Sequence, residues 1–256
     1  MEFVWGLEFV FWNFMKHPFL SIVIPAYNEA KRLPLTLVDL EKHLKKVDYT
    51  YEVIVVNDGS HDETVDIVKR FALLMNNLKL LDFKKNRGKG AAVRDGMLAA
   101  HGHYRLFMDA DNSTSIDQFE RLMPYLSSGY DIVIASRYIE GSKMEPPQSF
   151  TRRIPSRIGN LIIRTLLLPG IHDTQCGFKV FTEKATERIF GKMRVNKWGF
   201  DVEALALGKK MEYKIKEAPV LWVNKSLSNL GASAFLKTLW EVFKVRWWLW
   251  TYKYKL

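Results

Sequence analysis

The chain has 256 residues, 48% apolar and 26% charged, a globular composition that excludes disordered, collagen-like and coiled-coil classes and fits one large domain or one domain with an appendage. Its single cysteine, Cys176, excludes an internal disulfide framework and a Cys-rich zinc site, and fits a reducing compartment. The net charge of +10 is uneven: residues 1–150 carry 18 Lys/Arg against 20 Asp/Glu, and residues 151–256 carry 20 against 8, a basic half that suits nucleic acid, anionic lipid or a phosphorylated ligand, or serves solubility alone.

Residues 1–18 form an apolar, aromatic segment with Trp5 and Trp12, too short to span a bilayer, interrupted by Glu8 and without the cationic lead of a secretory signal. From residue 19 the pattern changes. LSIVIPA (20–26), YEVIVVND (51–58), LKLLDF (78–83), YRLFMDAD (104–111) and DIVIAS (131–136) read as buried strands. Between them, 33–47, 62–76, 88–100 and 116–127 read as helices. Continuous β-branched runs alternating with helices predict an α/β fold with a mostly parallel sheet covered on both faces. The main domain is expected over 19–230, followed at 231–256 by an amphipathic helix. On its wheel Leu236, Trp240, Phe243, Trp247 and Trp250 share one side, Lys237, Glu241 and Lys244 lie opposite, and Arg246 and Trp248 break the pattern. Its charges oppose spanning; Trp with basic residues suits a helix lying in the headgroup layer, and the same pattern equally suits a terminal helix packed on the domain.

Ligands of parallel sheets bind beyond the carboxyl ends of the strands. There the sequence puts Asn28 and Glu29, Asn57 and Asp58, and Asp109 and Asp111. Asp109 and Asp111, two residues apart at a strand end, point the same way and suit a hard divalent cation, Mg²⁺ or Mn²⁺, completed by water and substrate phosphates. NRGKGAAVRDG (86–96) lacks the spacing of a P-loop, no GxGxxG follows the first strand, and no GxSxG elbow or HExxH pair occurs. Arg87 and Lys89 can still meet a diphosphate at the rim.

SIVIPAYNEAKRL (21–33), VIVVNDGSHDET (53–64), NRGKGAAVRDG (86–96), MDAD (108–111), DIVIASRY (131–138), DTQCGFKVF (173–181) and WGFDVE (198–203) stand in the order found in family 2 glycosyltransferases. Over about 20–224 the chain resembles the polyprenyl-phosphate branch of that family, the dolichyl-phosphate glucose and mannose synthases, and CGFK with FDVE is closer to the glucose type. The resemblance implies a GT-A fold, a nucleotide-sugar donor (UDP-glucose, with GDP-mannose the alternative), a divalent metal and inverting transfer to a polyprenyl phosphate. It implies that Pro25, Tyr27, Glu29, Asp58, Lys89 and Ala110 hold the donor and that Asp109 and Asp111 bind metal and diphosphate. Arg137 would approach the phosphates and Lys179 the sugar and acceptor, both counted with Asp109 and Asp111 as catalytic, and Arg153, Gln175, Trp198, Asp201 and Glu203 would line the acceptor side, with Phe178, Phe200 and Trp198 equally readable as core.

The chemistry fits a phosphate acceptor. A phosphate monoester, with its second pKa near ~6, is mostly dianionic at neutral pH and attacks without a strong general base. Basic residues of the second half, Arg152, Arg153, Arg157 and Lys179, would then attract the lipid phosphate and anionic headgroups. Attachment is accordingly expected to be peripheral, on the cytoplasmic side of a membrane. A nucleotidyltransferase would show an early GxGTR…PK loop, which is absent; a nucleic-acid-binding module shows no recognition motif and is not expected; a family 2 enzyme with a non-lipid acceptor remains the rival reading. Oligomeric state is left open.

Overall fold

The computed structural model describes residues 17–146, 159–225 and 232–255; the aromatic segment 1–16 and Arg152, Arg153 and Arg157 lie outside the described residues. β1 (Leu20–Ala26), β2 (Tyr51–Asp58) and β3 (Leu78–Phe83) occupy the spans their apolar runs predict. Between them come α1 (Leu33–Leu44), which has a proline in its first turn, and α2 (Thr64–Ala72). α3 (Lys89–Ala99) leads to β4 (Tyr104–Met108), a 3₁₀ turn at Ile116–Gln118, α4 (Phe119–Ser127) and β5 (Ile132–Ser136).

The later elements are β6 (Lys143–Glu145), α5 (whose described part covers 159–166), β7 (Phe178–Thr182), α6 (Glu183–Phe190), α7 (Phe200–Lys210), β8 (Ile215–Pro219), β9 (Leu221–Val223) and α8 (Ala232–Trp250). α6 is capped by the Thr182 hydroxyl, which accepts from the Ala185 amide at 3.3 Å.

Seven strands form one sheet in the order β3-β2-β1-β4-β7-β5-β8. Every neighbouring pair is parallel except those of β7, which runs antiparallel between β4 and β5. β6 and β9 make a separate parallel pair. One face of the sheet packs Leu33, Leu37, Leu40 and Phe119; the other packs Met97, Phe107, Phe181, Phe190 and Phe200, with Val242 and Val245 of α8 joining it. Burying such side chains is worth about 1.5–3 kcal/mol each. The consequence for function is geometric: β1, β2 and β4 are parallel neighbours, so their carboxyl ends open on one rim.

Candidate active site

The loop leaving β1 is held open by the loop leaving β2. Asn28 takes a left-handed φ of 54°, and the amides of Asn28, Glu29 and Ala30 donate to Ser60 Oγ (2.9 Å), Thr64 Oγ1 (2.8 Å) and Asp62 Oδ2 (3.1 Å). Short polar side chains thus satisfy a backbone that belongs to no strand or helix. Pro25 is buried in β1, opposite Val56, and Tyr27 stands exposed on the rim. The Glu29 carboxylate takes two bonds from the Arg32 guanidinium, whose Nη1 lies 3.8 Å from Asp111 Oδ2. Burial raises the Glu29 pKa against the pull of Arg32, and the charges of Asp111 and Asp109 add to the rise.

β4 delivers the acidic pair. The Asp109 amide continues the ladder to Gly177 O at 3.0 Å, the Ala110 carbonyl accepts from Thr36 Oγ1 at 2.7 Å, and Asp111 Oδ1 accepts from the Ser113 amide at 2.9 Å. Lys89 Nζ pairs with Asp109 Oδ1 at 2.5 Å. Burial would lower the pKa of this ammonium, but Asp109 and Asp201 outweigh it and hold it above the usual lysine value. Its Nζ also lies 5.5 Å from the centre of the ring of Trp198, an exposed residue. Gln175 is half-buried on the turn before β7.

The residues present fit a divalent cation. Asp109 and Asp111 are hard oxygen donors, and among the described residues no third His, Cys, Asp or Glu joins them in a closed cage. That donor set is the one expected where substrate phosphates complete the shell. A carboxylate cradle is built in as well: a Cβ on Gly177 would lie 2.1 Å from Asp109 Oδ2, so only glycine lets Asp109 sit where it does.

Four placements differ from expectation. Asp58 is buried, and its two oxygens accept from the Arg87 and Gly88 amides at 2.8 Å, so it ties down the loop before Lys89. Lys179 has no exposed surface; it donates to the Cys176 carbonyl and pairs with buried Asp201 beneath the rim, so it cannot touch a lipid phosphate there. Arg137 gives its Nε and Nη2 to Asp173 at 2.7 and 2.8 Å, and the fully buried Asp173 carboxylate stays well ionised because of it. Glu203 has no exposed surface: its oxygens accept from the Arg194 and Val195 amides and from the Tyr254 hydroxyl. Composition and spacing gave no role to Arg32, Asp173 or Gly177. The Glu29–Arg32 spacing of three residues was the available signal for the first.

The Glycosyl transferase family 2 profile matches residues 21–190. The chain belongs to that family. It is 36% identical over 241 residues to a dolichyl-phosphate beta-glucosyltransferase of Dictyostelium discoideum, covering 89% of this chain and 74% of the relative. The Homo sapiens protein of that name is 34% identical over 224 residues, 82% of this chain and 69% of its own. Among solved structures, Mycobacterium tuberculosis glucosyl-3-phosphoglycerate synthase in complex with Mn²⁺, UDP and glucosyl-3-phosphoglycerate superposes with a TM-score of 0.65 at 16% identity, covering 91% of this chain and 80% of that one. Staphylococcus aureus TarS (residues 1–349) matches with a TM-score of 0.54 at 18% identity, over 88% and 64% of the two chains. These likenesses establish the GT-A type of α/β fold, and the family establishes a glycosyltransferase.

Proposed function

We propose that this chain transfers glucose from UDP-glucose, with inversion, to a dolichyl-type polyprenyl phosphate at the cytoplasmic face of a membrane. The observation that carries the reading is the likeness to dolichyl-phosphate beta-glucosyltransferases across 89% of the chain, with Tyr27, Lys89, Asp109 and Asp111 inside the span of the family profile. The geometry is consistent with it. Asp109 and Asp111 would hold Mg²⁺ or Mn²⁺, which when bound neutralises charge developing on the leaving diphosphate. An oxygen of the acceptor phosphate attacks the anomeric carbon, the bond from that carbon to the donor diphosphate breaks, and UDP departs with the electron pair. Lys89, drawn to Asp109 in the free enzyme, is within reach of the same diphosphate. Tyr27, exposed on the rim, and the loop pinned by Asp58 would meet the nucleoside, and Trp198 and Gln175 the acceptor. The cytoplasmic placement is supported by the lone, buried thiol of Cys176.

The test is incubation with UDP- and GDP-sugars, Mn²⁺ and dolichyl phosphate, with the lipids read by mass spectrometry. Glucosyl phosphodolichol from UDP-glucose is expected. Product from GDP-mannose alone, or only on a water-soluble acceptor, would overturn the assignment.

A further inference from the structure

α8 is docked by one face and bare on the other. Inward, Val242 and Val245 are buried, Trp248 and Leu249 pack on the core, and Glu241 Oε2 accepts from the Gly199 amide at 2.8 Å. Outward stand Leu236, Trp240, Phe243, Trp247 and Trp250, which are 66%, 62%, 49%, 58% and 67% exposed. At 3.6 residues per turn these five fall within roughly 80° of arc and extend along roughly 21 Å of the helix. The exposed cations Lys237 and Lys244 flank the stripe on one side and Arg246 on the other. Lys237 and Lys244 therefore border the aromatic face and do not oppose it, while Glu241 and Trp248 belong to the inward face. The helix's only acid, Glu241, is turned to the domain.

The geometry points to α8 as an interfacial helix whose tryptophan stripe lies in the headgroup layer of an anionic bilayer, with its long axis in the membrane plane. Three observations select this occupant. The stripe is aromatic, as interfacial contacts are. Its borders are cationic on both sides, so when the rings point down the charges lie level with lipid phosphates. Among the described residues no helix, α8 included, is long and apolar enough to cross a membrane.

The helix is also continuous with the rim. Glu241 holds Gly199, the residue between Trp198 and α7, and a Cβ on Gly199 would lie 2.7 Å from Glu241 Cβ, so the two backbones approach closely. Through Trp198, whose ring faces Lys89, a membrane-bound α8 sets the rim beside the lipid surface. The surface claim stands on α8 alone; only its use in presenting a lipid phosphate rests on the proposed function.

The test uses the full chain with vesicles of phosphatidylcholine, with and without phosphatidylserine. Co-sedimentation with the anionic vesicles, weakened by salt, and a blue shift of tryptophan emission are expected. Replacing Lys237, Lys244 and Arg246 by Gln lowers affinity on the order of 100-fold, at about 1 kcal/mol per cation near the surface. Replacing Trp240, Phe243, Trp247 and Trp250 by Ser lowers it at least about tenfold, with an unchanged circular dichroism spectrum and unchanged hydrolysis of UDP-glucose in vesicle-free buffer. Wild-type protein that fails to sediment overturns the proposal. So does a Ser variant that binds vesicles like the wild type, or one whose only change is dissociation of a dimer in light scattering, which would make the stripe an interface between copies. Loss of binding on deleting residues 1–16, with binding kept in the Ser variant, would place the membrane contact in that segment instead. Failure of these arms leaves the glucosyl-transfer assay untouched, so the two readings fail separately.

Discussion

Gly177→Ala tests the carboxylate cradle without touching a charged group. The new Cβ would sit 2.1, 2.3 and 2.5 Å from Oδ2, Cγ and Oδ1 of Asp109, where ordinary contacts begin near 3.4 Å, so the carboxylate must retreat by more than an ångström. Gly177 is not among the residues with a left-handed backbone, so alanine adds no torsional strain there. The Asp109 side chain is partly exposed and rotates outward at small cost, leaving stability within about 1 kcal/mol of wild type. The displaced carboxylate loses its place beside Asp111 and its pairing with Lys89. A displacement near an ångström in a group that positions the reacting atoms costs about 10²-fold. The assay is steady-state transfer from UDP-glucose to dolichyl phosphate over a Mn²⁺ titration, beside a thermal melt. The expected result is a loss of about 100-fold in kcat/KM with a raised Mn²⁺ requirement and a nearly unchanged Tm. Activity within threefold of wild type at an unchanged Mn²⁺ requirement would refute the cradle.

Asp109→Asn and Asp111→Asn, each measured with and without EDTA, should abolish transfer while Tm moves little, because both carboxylates lie at the rim. Asp58→Ala leaves the Arg87 and Gly88 amides without their buried acceptor; chemical denaturation should show a loss of about 2–4 kcal/mol, and donor KM should rise as the loop before Lys89 loosens. Burial pushes the Cys176 thiol up to about 12, so a thiol reagent at pH 8 should label the protein only after unfolding.

Much of the fold was legible because each early strand is a locally complete signal. The runs at 20–26, 51–58 and 78–83 are mostly apolar, and the structure keeps those bounds. The run at 104–111 reads too long: β4 stops at Met108, since Asp109 to Asp111 turn away toward left-handed Asn112. The helix expected over 62–76 begins only at Thr64, because the Asp62 carboxylate accepts from the Thr64 amide ahead of the first turn. β7 had no local signature at all. Its place between β4 and β5 is decided by pairing with residues 70 to 78 positions earlier in β4 and 45 to 49 earlier in β5, and the β4 pairing sets Gly177 against Asp109. The same tertiary decision hides Lys179: its short motif reads as polar and available, but mid-strand in a sheet covered on both faces it is buried against Asp201.

WGFDVE shows the limit most clearly, and it carries a pH prediction. In an extended chain Asp201 and Glu203 would point the same way, but both lie in the first turn of α7, where two residues subtend roughly 200°. Asp201 therefore turns to Lys179, and Glu203 turns to the Arg194 and Val195 amides and the buried Tyr254 hydroxyl, fastening the end of the chain to α7. Burial raises the Glu203 pKa above the usual 4.5, against the lowering effect of its three donors. A carboxyl with a raised folded-state pKa is more easily kept protonated in the native protein than in the unfolded chain. Its contribution to stability is fully present below pH 4.5 and is lost as pH rises through the folded-state value. Glu203→Gln removes that titration while keeping the size of the side chain. Stability curves from pH 4 to 8 should therefore show the wild type losing ground relative to the variant as pH rises, even though the variant is weaker at every pH through its poorer bonds to two amides and a hydroxyl. Parallel curves across that range would mean that Glu203 titrates alike in both states and that its three bonds, not its burial, decide its ionisation.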